Sequence, residues 1–243
     1  MKAPHWILPL VTASMLTQAA EEKPDTARWK EDFSDEAAFL KNWSAYGMTP
    51  DGKWISGPGT MHHWWQIQDG ALRGQHTPKT HGSGLQRAVS GTDVRLSLRF
   101  KLPEGGASYL GFNGPNPILG FNFHLAFLKI TKSSIEALDE DTLFPKESPE
   151  AAELKKTGKP NRKPIIGKTE KITLSHDDWH DLIIEIRGRT ITALIDGKQV
   201  LTYETNAGNA AKTTAQFSLS GNGKDIGFGW YDDISIEPLE VKK

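Results

Sequence analysis

The chain has 243 residues, 37% of them hydrophobic, with 29 Lys+Arg against 30 Asp+Glu and a formal net charge of -1 at pH 7. That length can bury a full core in one large domain, and basic residues scattered without a stripe argue against a nucleic-acid partner. The absence of cysteine excludes a disulfide framework, a thiol nucleophile, a thiolate metal site and lipid attachment through an N-terminal cysteine.

Lys2, the mostly apolar run Trp6–Leu16 and the small residues Thr17 and Ala19 predict a secretory signal peptide over 1–20, because about 11 apolar residues fall short of the roughly 20 that span a bilayer. A soluble N-terminal helix is the alternative. Export without cysteine suits a bacterial periplasm or exterior, and no later stretch is apolar enough to be an integral membrane segment. Residues 21–27, polar and proline-containing, read as a linker to a single domain over 28–240.

Trp29–Phe33 predicts a first strand, and Ser34-Asp35-Glu36 a helical turn through Leu40. Lys53–Ser56 follows, then a stretch in which Trp65 and Ile67 alternate with polar residues up to the tight turn Asp69-Gly70. Thr92–Leu102 has period 2, with Val94, Leu96, Leu98 and Phe100 facing a core and Arg95, Ser97, Arg99 and Lys101 facing water. Ala107–Asn113 and Gly120–Thr131 are the next strands. Strict alternation in the second sets Phe121, Phe123, Leu125 and Phe127 on one face and Asn122, His124, Ala126 and Leu128 on the other. Residues 139–171, rich in charge and proline, read as one long insertion, with a short helix from Pro149 to Lys156. Trp179–Glu204 is a three-stranded meander whose Asp196-Gly197 pair suits a type I′ turn. Gly227–Pro238 closes the body. Phe100, Trp179 and Trp230 are expected in its core. The pattern predicts an all-β sandwich.

Glu31-Asp-Phe-Ser34, Trp65-x-Ile-x-Asp-Gly-Ala-Leu-x-Gly74, the Val94–Leu102 strand, Gly120-Phe121 and Trp179-x-x-Leu-Ile-Ile-Glu-Ile-x-Gly188 with Asp196-Gly-Lys-x-Val200 together resemble the concanavalin A-like (laminin G-like) jelly roll. Within it, the chain resembles the bacterial 3-keto-disaccharide hydrolase domain family over about Trp29 to Leu239. The resemblance implies a jelly-roll β-sandwich and a carbohydrate partner. It also implies a site where the family usually carries an arginine at the end of one strand and a glutamate and glutamine in the next. Those places hold Asn113, Asn122 and His124 here, polar groups suited to gripping hydroxyls.

Glycosidases commonly work with two carboxyls about 5 to 9 Å apart. In the acidic run Glu136-Ala-Leu-Asp139-Glu140-Asp141, Asp139, Glu140 and Asp141 are consecutive at the mouth of a proline-rich stretch, and the run reads as a solvated loop. Imidazole is the side chain that can serve as a base near neutral pH. Hence His124 is the candidate catalytic residue, with a hydrogen-bonded structural histidine as the alternative. Asn113, Asn122, His62, His63 and Trp64 are candidate sugar contacts, an indole face packing on the C–H face of a pyranose; for Trp64 a core position is the alternative. Asp32 and Asp233, with Asp232, are candidate ligands for a structural Ca²⁺, surface acids being the alternative. Two functions follow from these readings. One is an exported glycoside or 3-keto-disaccharide hydrolase or lyase; the other is a non-catalytic glycan-binding or surface-interaction module on the same fold.

Overall fold

The computed structural model describes residues 26–48, 53–57, 64–76, 83–102, 105–115, 122–140, 149–157, 164–175, 177–205, 208–220 and 227–239. The expected signal peptide, most of the linker and the candidates His62 and His63 lie outside these. The chain opens with β1 (Trp29–Glu31), α1 (Glu36–Asn42), β2 (Trp43–Met48), β3 (Trp54–Gly57), β4 (Trp65–Gln68) and β5 (Ala71–His76). Next come β6 (Gly84–Gly91), β7 (Val94–Lys101), β8 (Ala107–Pro115), β9 (Asn122–Ile130), β10 (Ser134–Glu140), α2 (Pro149–Thr157) and β11 (Pro164–Lys171). It ends with β12 (His180–Arg187), β13 (Thr190–Ile195), β14 (Lys198–Glu204), β15 (Lys212–Ser220) and β16 (Gly227–Pro238).

The strands form two antiparallel eight-stranded sheets. Sheet A runs β14-β13-β12-β7-β16-β5-β4 with β1 added on β16, and sheet B runs β11-β10-β9-β8-β15-β6-β2-β3. The chain is therefore the jelly-roll sandwich that its alternation predicts. Both Asp-Gly turns have the positive φ pair of a type I′ hairpin, at Asp69 and Gly70 and at Asp196 and Gly197. Helix α1 starts where the sequence places it, with Asp35 Oδ1 accepting from the Ala38 N–H at 3.0 Å. Helix α2 forms at Pro149–Thr157, and within 139–171 the stretch Pro164–Lys171 pairs with β10 as the edge strand of sheet B.

Between the sheets lie Val94, Leu96, Leu98 and Phe100 of β7, Leu182, Ile184 and Ile186 of β12, and Leu110, Phe112 and Phe217 of sheet B, all nearly inaccessible. Two of the three expected core aromatics differ. Phe100 is fully buried, but Trp179 and Trp230 are only half-buried on the outer face of sheet A. Parity explains the difference, since Tyr231 takes the inward position beside Trp230 and His180 the one beside Trp179, directly across from Phe100. Among the described residues no helix is long and apolar enough to cross a membrane.

Candidate functional site

The outer face of sheet B is where polar side chains converge. Alternation in β8 turns Leu110 and Phe112 inward, which leaves Tyr109, Gly111 and Asn113 outward. The partner strand β9 does not keep strict alternation. Phe112 pairs with Ala126 and Asn113 pairs with His124, so Leu125 is an extra residue in a β-bulge. The bulge corrects the expected faces. Ala126 and Leu128 enter the core, while His124 joins Phe127 on the outside, their rings edge to face at 4.4 Å.

Phe127 reaches that position because Gly111 lies beneath its ring. A Cβ there would stand 2.6 Å from the Phe127 ring and 2.2 Å from the Ala126 carbonyl oxygen. Gly84 of β6 plays the same part under Tyr46 of β2, where a Cβ would stand 2.1 Å from the ring.

Across this face runs a directed chain of hydrogen bonds. Asn113 Nδ2 donates to Gln216 Oε1 at 2.7 Å, which turns Asn113 Oδ1 toward His124 Nδ1, also at 2.7 Å. An amide oxygen only accepts, so Nδ1 must carry the hydrogen, and in the neutral ring the lone pair lies on Nε2. Gln216 Nε2 donates onward to Ser218 Oγ at 3.3 Å, and Ser218 bonds the Tyr46 hydroxyl. Burial pushes the Tyr46 hydroxyl up to about 12, against a smaller lowering by Ser218, so it stays protonated and serves as an anchor. Asn113 and Gln216 are 7% and 5% exposed. Buried amides with satisfied partners hold a fixed geometry, and the more accessible His124 is therefore oriented from below.

Two of the expected site residues, His124 and Asn113, are thus in direct contact. Asn122 is backbone-paired with Pro115 beside them, and its side chain lies outside the described ones. Trp64 is a correction: it is 4% exposed within the core cluster, so its indole offers no sugar platform. Among the described residues the exposed large aromatic is Trp54 on edge strand β3, 49% exposed with its ring 5.7 Å from that of Tyr46. Gln216 and Trp54 were not among the expected site residues. Glu136 stands on the same face, but both its oxygens are 3.1 Å from Lys129 Nζ, a commitment unlike that of a catalytic carboxyl.

Asp32 and Asp233 come to neighbouring strand ends, where each has partners of its own. Asp32 Oδ1 accepts from the Ser34 N–H and hydroxyl, which hold its carboxyl below the usual range, and Asp233 faces Lys30 at 3.6 Å and Arg99 at 3.8 Å. Among the described residues no group of three or more His, Cys, Asp or Glu could hold a metal ion.

A second polar cluster, Ser175–His180–Asp196, has the residue types of a nucleophilic relay, with His180 Nδ1 at 2.7 Å from Asp196 Oδ2 and Nε2 at 3.3 Å from Ser175 Oγ. Its burial is inverted, however. The acid side chain is 54% exposed and the imidazole 10%, whereas a relay needs its acid enclosed. Asp196 Oδ1 also accepts from the Asp181 N–H, and the cluster ties the β13–β14 hairpin to the start of β12.

Comparison with solved structures places this geometry on a shared scaffold. A sialidase matches with TM-score 0.59 and 12% identity over 89% of this chain, which spans 19% of the sialidase. Alginate lyase AlyC3, solved with dimannuronate, matches with TM-score 0.57 and 10% identity over 84% of this chain and 91% of the lyase. The Bacillus licheniformis β-glucanase matches with TM-score 0.57 and 12% identity over 88% and 99% of the two chains. At these identities the likeness is one of fold. No curated protein matches this sequence. The 3-keto-alpha-glucoside-1,2-lyase-like domain, in contrast, matches from residue 28 to residue 237, spanning β8, β9 and β15 with the His124–Asn113–Gln216 chain on them, and the protein belongs to that family.

Proposed function

We propose that the outer face of sheet B binds a 3-keto-glucoside and that His124 removes the proton from C2, driving elimination across C1–C2. The observation that carries this reading is the 2.7 Å contact of His124 Nδ1 with Asn113 Oδ1. It leaves the basic lone pair on Nε2, at an imidazole anchored through Gln216 and Ser218. A ketone at C3 acidifies the C2 hydrogen, so a neutral imidazole is a base of suitable strength near neutral pH. The proton passes to Nε2, the electron pair of the C2–H bond becomes the C1–C2 double bond through the enolate, and the C1–O bond breaks. The leaving oxygen departs with a proton from water. Elimination needs no pair of carboxyls, which agrees with Glu136 being held by Lys129 and with the asparagines at the family's charged positions. Tyr46 and Trp54 offer apolar ring surface for the sugar.

The second reading is a glycan-binding module without turnover, favoured by asparagine at position 113 where relatives usually carry arginine. The variant His124→Gln separates the two, because glutamine keeps volume and polarity and removes the base. Turnover of 3-keto-glucosides is expected to fall by about 10²-fold or more with substrate binding largely kept. Unchanged turnover would remove His124 from the mechanism. No turnover in either protein, with altered sugar affinity, would establish the binding module.

A further inference from the structure

The outer face of sheet A, away from His124, carries a row in which aromatic rings and cations alternate. The Arg73 guanidinium lies 3.9 Å from the Phe228 ring centroid and 5.9 Å from that of Trp230. Lys101 Nζ lies 5.4 Å from Trp230 and 5.5 Å from Trp179, and the Arg99 guanidinium 5.0 Å from Trp179. The three rings are half-buried, an unusual position for large aromatics on the sheet face turned away from sheet B.

The charges are unevenly answered. Arg99 faces Asp232 at 3.5 Å and Asp233 at 3.8 Å, whereas Arg73 and Lys101 pair with no carboxylate among the described residues. Cross-strand register sets their spacing, since Trp230 of β16 is the partner of Arg73 on β5 and of Lys101 on β7. Two strand intervals place their backbones about 10 Å apart, with the indole between.

We propose that this row is a second binding surface, for a carboxylated polysaccharide. Cations at a fixed interval match carboxylates recurring along a polyuronate, Arg73 being able to hold one through two parallel N–H bonds. Rings between the cations match the apolar faces of the intervening pyranoses. A bare anion site would need the cations alone. Because the row and His124 lie on opposite sheets, the surface holds a glycan without occupying the His124 face, and its ligand need not be the substrate.

The test is native gel electrophoresis through gels containing polygalacturonate or uncharged dextran. The intact protein is expected to be retarded by polygalacturonate, less so as salt is raised, and not by dextran. The double variant Arg73→Gln/Lys101→Gln is expected to lose about tenfold or more of the affinity, the scale for losing two charge-assisted contacts, while His124→Gln is retarded like the parent. The single variants, each expected to lose part of the retardation, serve if the double variant fails to fold. Equal migration of the parent in both gels, or full retention by a folded double variant, would overturn the proposal. Binding to duplex DNA as tightly as to polygalacturonate at the same ionic strength would also overturn it, since the row would then recognise charge alone.

Discussion

Glu31 shows how much one side chain of the Glu31-Asp-Phe-Ser34 segment does. It is 7% exposed, accepts from Trp43 Nε1 at 3.0 Å and Arg87 Nη1 at 2.9 Å, and its other oxygen accepts from the Phe33 N–H at 3.3 Å. Arg87 in turn lies 4.1 Å over the Trp29 ring. Burial lowers the Arg87 pKa, and Glu31 opposes that shift. The pair therefore bridges β1 of sheet A to β2 and β6 of sheet B. Glu31→Gln keeps the shape and removes the charge, leaving a largely enclosed guanidinium without its carboxylate, and it should cost about 3 to 5 kcal/mol in urea melts. Replacing both residues, Glu31→Gln with Arg87→Met, should cost less than the single change. A double variant weaker than the single one would show that the pair acts through packing. At this scale the sequence pointed to His124, because an imidazole in a β pattern is chemically distinctive, and only the family resemblance pointed to Asn113. It was silent about Gln216, since a polar residue alternating with Ala215 and Phe217 looks like any solvent-facing position.

At the level of elements, the β8–β9 pair decides which chemistry reaches the surface. Strict alternation puts His124 on the face of Ala126 and Leu128, which is the core. The bulge at Leu125 reverses this without disturbing the core residues that follow. Nothing local announces it: Leu125 is as apolar as its neighbours, and what accommodates its side chain is Gly114 on the partner strand, where a Cβ would lie 2.4 Å from Leu125 Cδ1. A bulge is a property of two strands, so one strand's periodicity cannot reveal it. The matching device is Gly111 beneath Phe127. Gly111→Ala drives a methyl against the ring and the Ala126 carbonyl, and it is expected to cost about 1 to 3 kcal/mol. On the proposed role of His124 as the base, it should also lower turnover by displacing Phe127 from the edge of His124. A variant as stable and active as the parent would mean that β9 shifts freely and that the bulge does not fix the site.

On the scale of the whole molecule, the hairpins were legible and the sheets were not. The meander Trp179–Glu204 and the β4–β5 hairpin follow from local turns and alternation. Placing β16 between β7 and β5, or β15 between β8 and β6, pairs segments far apart in sequence, for which no local signal exists. What joins the two sheets is therefore best probed by a group that spans them, and Lys212 is such a group. It opens β15 in sheet B at 1% exposure, and its Nζ donates to the carbonyls of Thr92, just before β7 of sheet A, and of Gly208. Burial lowers its pKa to about 8, with Asp93 opposing the shift. The folded pKa is thus below the unfolded value of 10.5, and between these limits the unfolded chain binds the extra proton. Stability contributed by this group consequently rises with pH across about 8 to 10.5 and is flat on either side. Lys212→Met abolishes the titration and leaves two carbonyls without their donor, so the variant should be less stable throughout. The measurement is denaturant unfolding at a series of pH values, taking the difference between parent and variant. That difference should widen as pH rises through the window. Parallel curves would show that the ammonium keeps its proton inside the fold, held by the two carbonyls and Asp93 against the cost of burial.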